Sequence, residues 1–359
     1  MSRILLRPTG FVDNPFGHDG KVARLAGGLQ FFATVEAIRL DESNRVAARE
    51  LWSVEGIEDR LDDDGTLQWQ RLTGGRAALQ LGDRTIRLDQ PQVMGIINAT
   101  PDSFSDGGSH EDVDAACFAG ADMVGAGAAI LDIGGESTRP GAQTVWEGDE
   151  IERVAPIIER LVKGGNAVSI DTRKAAVMEA ALAKGAHLVN DVSALSWDER
   201  SVEVVAKAGV PVVLMHAQGD PQTMQDNPRY DDVAVDIFLW LEDRIAKAEE
   251  AGIERANILV DPGIGFGKTL AHNLQLVNQL ALFHGLGCPI LFGASRKRMI
   301  GALSNEAPAD QRLAGSLALA LAAAGQGAQI IRVHDVPETM QALRVWRGLK
   351  DQALTPPGL

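Results

Sequence analysis

The sequence predicts an α/β fold: a (β/α)8 TIM barrel preceded by a small N-terminal extension of α+β or mostly β character. Two observations carry this. From residue 93 onward, eight short β-rich runs alternate with stretches of helical periodicity. The runs are continuously apolar rather than alternating, as strands covered on both faces require.

The eight runs are 93–98, 129–134, 167–171, 188–191, 211–216, 257–261, 289–293 and 329–334. Between the fifth and sixth, residues 231–251 place Val233, Ile237, Leu241, Ile245 and Ala248 at spacings of three and four, with acids and bases on the other face. A helix is expected there. The segment RLAGSLALALAAAGQGA, 312–328, is a helix of small residues suited to close packing. Just before the first barrel strand, ALQLGDRTIRL (78–88) alternates around Gly82-Asp83, which is a hairpin signature. It is placed to cover the N-terminal mouth of a barrel domain spanning 76–359. Residues 1–75 break the rhythm, mixing an apolar run at 29–35 with a polar turn at 62–65, and are expected to form a separate accessory extension.

Composition narrows the function. A chain of 359 residues that is 45% apolar can bury a large core. Its net charge of −15, from 49 acidic and 34 basic residues, gives no basic footprint for nucleic acid or an anionic membrane. The two cysteines, Cys117 and Cys288, have neither disulfide nor zinc spacing. No signal peptide and no run of about 18 apolar residues is present, so a soluble cytoplasmic protein is expected.

In a (β/α)8 barrel the loops after the strands build the active site. Here every strand ends in polar residues. The first ends at Asn98 and runs into ATPDSFSDGG, and the second gives DIGGESTRPGA with Asp132, Glu136, Ser137, Thr138 and Arg139. The third and fourth end in SIDTRK (Asp171, Arg173) and NDVSA (Asn190, Asp191), the fifth and sixth in MHAQG (His216, Gln218) and DPGIGFGK (Asp261, Lys268). The seventh gives GASRK (Ser295, Arg296, Lys297) and the eighth RVHD (Arg332, His334, Asp335). Capping of the following helix explains one such loop readily, but not all eight.

Asp171, Asn190 and Asp261 suit the edge of a flat heterocycle with amino and ring N–H donors. Arg139, Lys297, Arg332 and His334 supply a cationic zone for a phosphate-bearing group or carboxylate. Asn98, with Asp132 or a phosphate oxygen, suits Mg²⁺, a hard ion that prefers oxygen ligands. DPGIGFGKT comes near the GxxxxGK[ST] phosphate loop, but Pro262 stands where its first glycine belongs and lacks the N–H of an anion cradle.

Together, VMGIINATPDSFSDGG, LDIGGESTRPGA, SIDTRK, VNDVSAL, LMHAQGDPQTMQ, DPGIGFGKT, GASRKRMIG and IIRVHDV closely resemble dihydropteroate synthase. The resemblance covers about 78–350, in order and with no motif missing. It implies a (β/α)8 barrel that joins 6-hydroxymethyl-7,8-dihydropterin pyrophosphate to p-aminobenzoate in folate biosynthesis, releasing pyrophosphate. By resemblance, Asp171, Asn190, Asp261 and Lys297 hold the pterin, bordered by Phe266 and Met215. Asn98, Arg332 and His334 handle pyrophosphate and Mg²⁺, with Asp132 near the metal, directly or through water. Phe104, Thr138, Arg139, Pro140 and Ser295 border p-aminobenzoate, and Asp171, Lys297, Arg332 and His334 carry the catalysis. Loops 100–108 and 137–141 are expected to order over both substrates, and the family implies a homodimer.

Two rivals fit less well. A pterin-binding methyltransferase acting on a corrinoid would share the pterin pocket but has no use for ESTRP or for the SRK and RVHD cations. A non-catalytic pterin-binding barrel would not need Asn98, Arg139, Lys297 and His334 together. Residues 1–75 have no counterpart in the shortest family members.

Overall fold

The computed structural model describes residues 3–99, 110–137, 144–219 and 223–356. The chain begins with β1 (Ile4–Val12), β2 (Ala23–Arg24), β3 (Phe31–Leu40) and β4 (Val46–Ser53), an antiparallel sheet with β3 at its centre. β1 pairs along one side of β3, and β2 and β4 share the other. Helix α1 (Asp63–Thr73) covers one face, where Leu6, Phe32, Val35, Trp52 and Leu72 form a small core. The extension is thus α+β. The acidic stretch read above as a turn starts this helix instead. Asp62 Oδ1 accepts the Gly65 N–H at 2.8 Å, and Asp63 and Asp64 sit in the first turn, where the helix dipole favours negative charge.

The other face of the sheet lies on the barrel. Leu5, Ile38 and Leu40 are fully buried in one core with the barrel residues Phe238, Phe283 and Leu286. Burying each such side chain contributes about 1.5–3 kcal/mol, so this contact is a substantial part of the extension's stability. Arg3 adds a two-pronged contact to Glu242 at 2.5 and 2.7 Å, and Arg49 reaches Asp232 at 2.5 Å.

A short hairpin follows, β5 (Leu79–Leu81) and β6 (Arg84–Ile86), with Gly82 at φ 61° in its turn. Its Leu79, Leu81 and Ile86, with Leu88, pack on Met94, Ile130, Leu188, Val213, Leu259, Leu291 and Ile330, which lie at or near the starts of barrel strands. The hairpin therefore seals the end of the barrel opposite the strand C-termini.

The barrel strands and helices alternate as β7 (Gln92–Asn98), α2 (His110–Ala126), β8 (Ile130–Gly134), α3 (Glu147–Lys163), β9 (Val168–Asp171), α4 (Ala175–Ala183), β10 (Leu188–Asp191) and α5 (Ser201–Ala208). They continue as β11 (Val212–Met215), α6 (Val233–Glu250), β12 (Ile258–Asp261), α7 (Leu270–Asn278), β13 (Leu291–Phe292), α8 (Arg298–Leu303), α9 (Leu313–Gly325), β14 (Ile330–Val333) and α10 (Val336–Ala353). All eight strands are parallel, in the order β12-β11-β10-β9-β8-β7-β14-β13, and a Val260–Ile290 bridge closes the ring. β13 starts later than its apolar run: Pro289 has no N–H to give the ladder, and the Ile290 N–H donates to the Gln329 side chain at 2.7 Å. Helix α6 buries the five residues expected of its stripe, and its N-cap Asp232 accepts the N–H groups of Ala234 and Val235. Among the described residues no helix is long and apolar enough to cross a membrane.

Candidate active site

The parallel sheet brings residues far apart in sequence to one mouth. In neighbouring strands Asn98 pairs in register with Gly134, Gly134 with Asp171, and Asp171 with Asn190. Arg332, on β14, reaches over this row. Its Nε donates to Asp132 Oδ2 at 2.6 Å and its Nη2 to Asp171 Oδ2 at 2.5 Å, while Asn190 Nδ2 donates to Asp132 Oδ2 at 3.0 Å. Asp132 is fully buried. The second oxygens, Oδ1 of Asp132 and of Asp171, are buried without a hydrogen-bond partner. A buried acceptor left open is costly unless a ligand or an ordered water meets it, so these two atoms are able to accept ligand donors. Burial pushes the Asp171 carboxyl up to about 7, against the pull of Arg332. Burial opposes the charge on Arg332, yet Asp132 and Asp171 together hold its pKa above the ordinary value.

Asp261 and Lys297 form the facing wall. Asp261 Oδ1 accepts the Gly263 N–H at 2.7 Å, and burial raises its pKa. Met215 pairs in register with Asp261 and is buried beside it. Lys297 Nζ donates to the Ile264 carbonyl and lies 4.7 Å over the Phe266 ring. Burial lowers its pKa to about 8, with Asp261 pulling the other way. Between Lys297 and the Arg332 strand, Ser295 Oγ sits 3.0 Å from His334 Nδ1 and accepts the His334 N–H at 3.2 Å. Asp171, Asn190, Asp261, Lys297, Phe266, Met215, Ser295, Asn98, Asp132, Arg332 and His334 therefore occupy strand ends and loops of one barrel mouth. Phe104, Thr138, Arg139 and Pro140 lie outside the described residues.

Other polar strand ends support the scaffold. Asp191 accepts the N–H groups of Ser193 and Leu195 at 2.7 and 2.8 Å, shaping the turn in which Ala194 and Leu195 take positive φ. Glu136 Oε1 accepts the Val145 N–H at 3.0 Å, and Lys174 Nζ donates to the Val145 carbonyl at 2.7 Å and to Glu150 at 2.6 Å. Lys174 and Glu150 were not legible as partners, because nothing in their spacing reports a contact between separate elements. The near-phosphate-loop stretch is explained by backbone crowding. At Gly263 (φ +69°) a Cβ would lie 1.8 Å from the His216 carbonyl oxygen, and at Gly267 (φ +63°) 2.6 Å from that of Gln218. Lys268 turns inward to His216 Nδ1 at 3.0 Å and the Phe266 carbonyl at 2.8 Å. Burial drops its pKa well below the ordinary value.

No three His, Cys, Asp or Glu side chains converge on a metal site among the described residues. The oxygen donors at this mouth include the amide of Asn98 and the open Oδ1 atoms of Asp132 and Asp171. That set fits a hard divalent cation only if phosphate oxygens and water complete its shell, as Mg²⁺ commonly accepts.

The family described as pterin binding enzyme matches residues 94–334. The dihydropteroate synthase of Escherichia coli is 49% identical over 263 residues, which are 73% of this chain and 92% of that one. The Xanthomonas albilineans dihydropteroate synthase solved with 4-aminobenzoic acid superposes with a TM-score of 0.73 at 48% identity, covering 78% of this chain and 100% of that one. A complex of that species' dihydropteroate synthase with 7,8-dihydropteroate superposes with a TM-score of 0.70 at 46% identity, over 77% of this chain and 100% of that one. With the strand-end residues in place and relatives of this identity matched over nearly their whole length, the chain belongs to the dihydropteroate synthase family of pterin-binding enzymes.

Proposed function

We infer that the chain condenses 6-hydroxymethyl-7,8-dihydropterin pyrophosphate with p-aminobenzoate, giving 7,8-dihydropteroate and pyrophosphate. The observation that carries this is a set of buried carboxylates and an amide at one mouth, tied to the cation Arg332 and still holding an open acceptor. Asp171, Asn190 and Asp261 supply carboxylates and an amide, with the Asp171 Oδ1 open to a donor, while Arg332, bonded to Asp171, and His334, held by Ser295, come from the end of β14. A pterin presents amino and ring N–H donors to the first group, with Lys297 donating to its acceptor edge and Phe266 and Met215 bordering the ring. Arg332 and His334 take the pyrophosphate. Ser295, with Phe104, Thr138, Arg139 and Pro140, borders p-aminobenzoate.

In the reaction the bond from the pterin methylene to the pyrophosphate oxygen breaks, and its electron pair leaves with that oxygen. Positive charge develops on the methylene, where Asp171 and Asp261 stabilise it. The lone pair of the arylamine forms the new C–N bond, and the nitrogen then loses a proton to water or to the departing pyrophosphate. An arylamine attacks without a strong base, so positioning supplies much of the rest. Asn98, with Asp132 directly or through water, would hold Mg²⁺, which would supply charge neutralisation at the pyrophosphate oxygens.

The chain acts as a cytoplasmic homodimer. Support for the pairing is the apolar surface at Val345 and Leu349, exposed one turn apart on α10. Product identification by mass spectrometry tests the activity: a mass equal to pterin substrate plus amine minus pyrophosphoric acid is expected, and its formation stops on chelation of Mg²⁺. Unchanged formation in excess chelator removes the metal from the account.

A further inference from the structure

Arg296 holds φ +58°, a left-handed conformation that a side chain with a Cβ rarely adopts. Its backbone is tied on both sides. The N–H donates to Ser316 Oγ at 2.9 Å, and the carbonyl accepts Arg312 Nη1 at 2.9 Å. Its guanidinium grips Asp335 with two donors, Nε to Oδ2 at 3.0 Å and Nη2 to Oδ1. Asp335 directly follows His334. The two neighbours of Arg296 face different partners: Ser295 meets His334, while Lys297 meets the Ile264 carbonyl and the Phe266 ring. With 40% of the Arg296 side chain exposed, the ion pair adds little to stability. It does fix geometry, because a planar two-donor grip allows one orientation.

We propose that the Arg296–Asp335 pair is a positioning device that fixes the separation of Lys297 from His334, and with it the registry between the pterin and pyrophosphate halves of the substrate. This rests on the function proposed above. The Arg296 guanidinium is engaged by Asp335, and its backbone N–H and carbonyl by Ser316 and Arg312. The left-handed turn at Arg296 sends Ser295 and Lys297 to their separate partners, and the clamp on Asp335 holds the end of β14 against that turn. Loosening it leaves the pterin wall of Asp171, Asn190 and Asp261 in place and lets the anion side drift.

The test compares the wild type with Arg296→Gly, Arg296→Ala, Arg296→Lys and Asp335→Asn. Glycine accepts the positive φ without strain, so Arg296→Gly removes the clamp and keeps the fold. Inorganic pyrophosphate with Mg²⁺, and 6-hydroxymethylpterin without phosphate, are titrated separately by calorimetry, alongside steady-state kinetics. The expected result is a loss of about tenfold or more in pyrophosphate affinity and in kcat, with hydroxymethylpterin affinity within about twofold of wild type. Arg296→Lys does not restore either value, since one ammonium cannot make the two-donor grip. The double variant of Arg296→Gly with Asp335→Asn is no worse than either single one. Unchanged pyrophosphate affinity and kcat in Arg296→Gly overturns the proposal, as do parallel losses of both ligands with a lowered Tm. A wild type that binds pyrophosphate without amine-dependent turnover contradicts the proposed function, while the pyrophosphate titrations still decide the role of the pair.

Discussion

Arg332 and Asp171 lie 161 residues apart in sequence and meet at 2.5 Å across the barrel mouth. Arg332 is also held by Asp132, so one cation is shared by two carboxylates, and Asp171 keeps one oxygen open. The pair joins the pterin region to the pyrophosphate region. Asp171→Asn keeps the shape and removes the charge, and is expected to lower kcat/KM for the pterin pyrophosphate about 100-fold or more in steady-state assays.

Arg332→Met acts differently. It leaves the Asp132 and Asp171 carboxylates buried without their cation, so a loss of about 3–5 kcal/mol in denaturant unfolding is expected in addition to lost activity. A variant that is inactive yet fully stable would mean that Arg332 carries little of the structural load.

The pH profile follows from Asp171 and Lys297. With Asp171 pushed up to about 7 and Lys297 down to about 8, kcat/KM is expected to rise toward pH 7 and fall beyond pH 8. The limbs belong to the interacting set rather than to single residues. Lys297→Arg, which keeps its charge, moves the alkaline limb upward. Stability has the opposite sign on that side. The unfolded chain binds more protons than the folded one between about 8 and the ordinary lysine value of 10.5, so the Lys297 contribution to stability rises with pH across that window. For Asp171 the folded chain binds more protons between 3.8 and about 7, so its contribution falls as pH rises there.

The barrel was legible because its signals are local. Continuous apolar runs show burial on both faces, and the spacing of Val233, Ile237 and Leu241 shows a helix face. The strand-end residues were legible because the fold itself places them at one mouth. Contacts between distant elements were not. Nothing in the sequence pairs Arg332 with Asp132, Arg296 with Asp335 or Lys174 with Glu150, since each contact depends on strand order and side-chain direction. The acidic stretch at 62–64 misled for a related reason: Asp serves turns and helix starts equally well, and only the downstream helix decides between them.

The extension and the barrel share a core, so the effects of disturbing it follow from burial. Leu5→Ala and Ile38→Ala, both at fully buried positions, are expected to cost about 2–5 kcal/mol and to lower Tm, with kcat per folded molecule unchanged. Removing the partly buried Arg3–Glu242 contact is expected to cost less than either core substitution, since its charges keep some solvent. Normal activity and Tm after Leu5→Ala would place the extension outside the folding unit.

Two glycines with positive φ separate strain from crowding. Gly17 (φ +74°) has open space around it, so Gly17→Ala carries backbone strain alone, about 1–2 kcal/mol. Gly263 (φ +69°) would place a Cβ 1.8 Å from the His216 carbonyl, so Gly263→Ala adds a clash and must displace the loop beside Asp261. A larger loss of stability and weaker pterin binding are expected for Gly263→Ala, and equal behaviour of the two variants in thermal melts would contradict this.

Pyrophosphate release by the purified chain supplied with the dihydropterin pyrophosphate and Mg²⁺, measured with and without p-aminobenzoate, decides the activity. Release that requires the amine and matches dihydropteroate formation mole for mole is the predicted result. Tight pterin binding with no amine-dependent release would contradict the account.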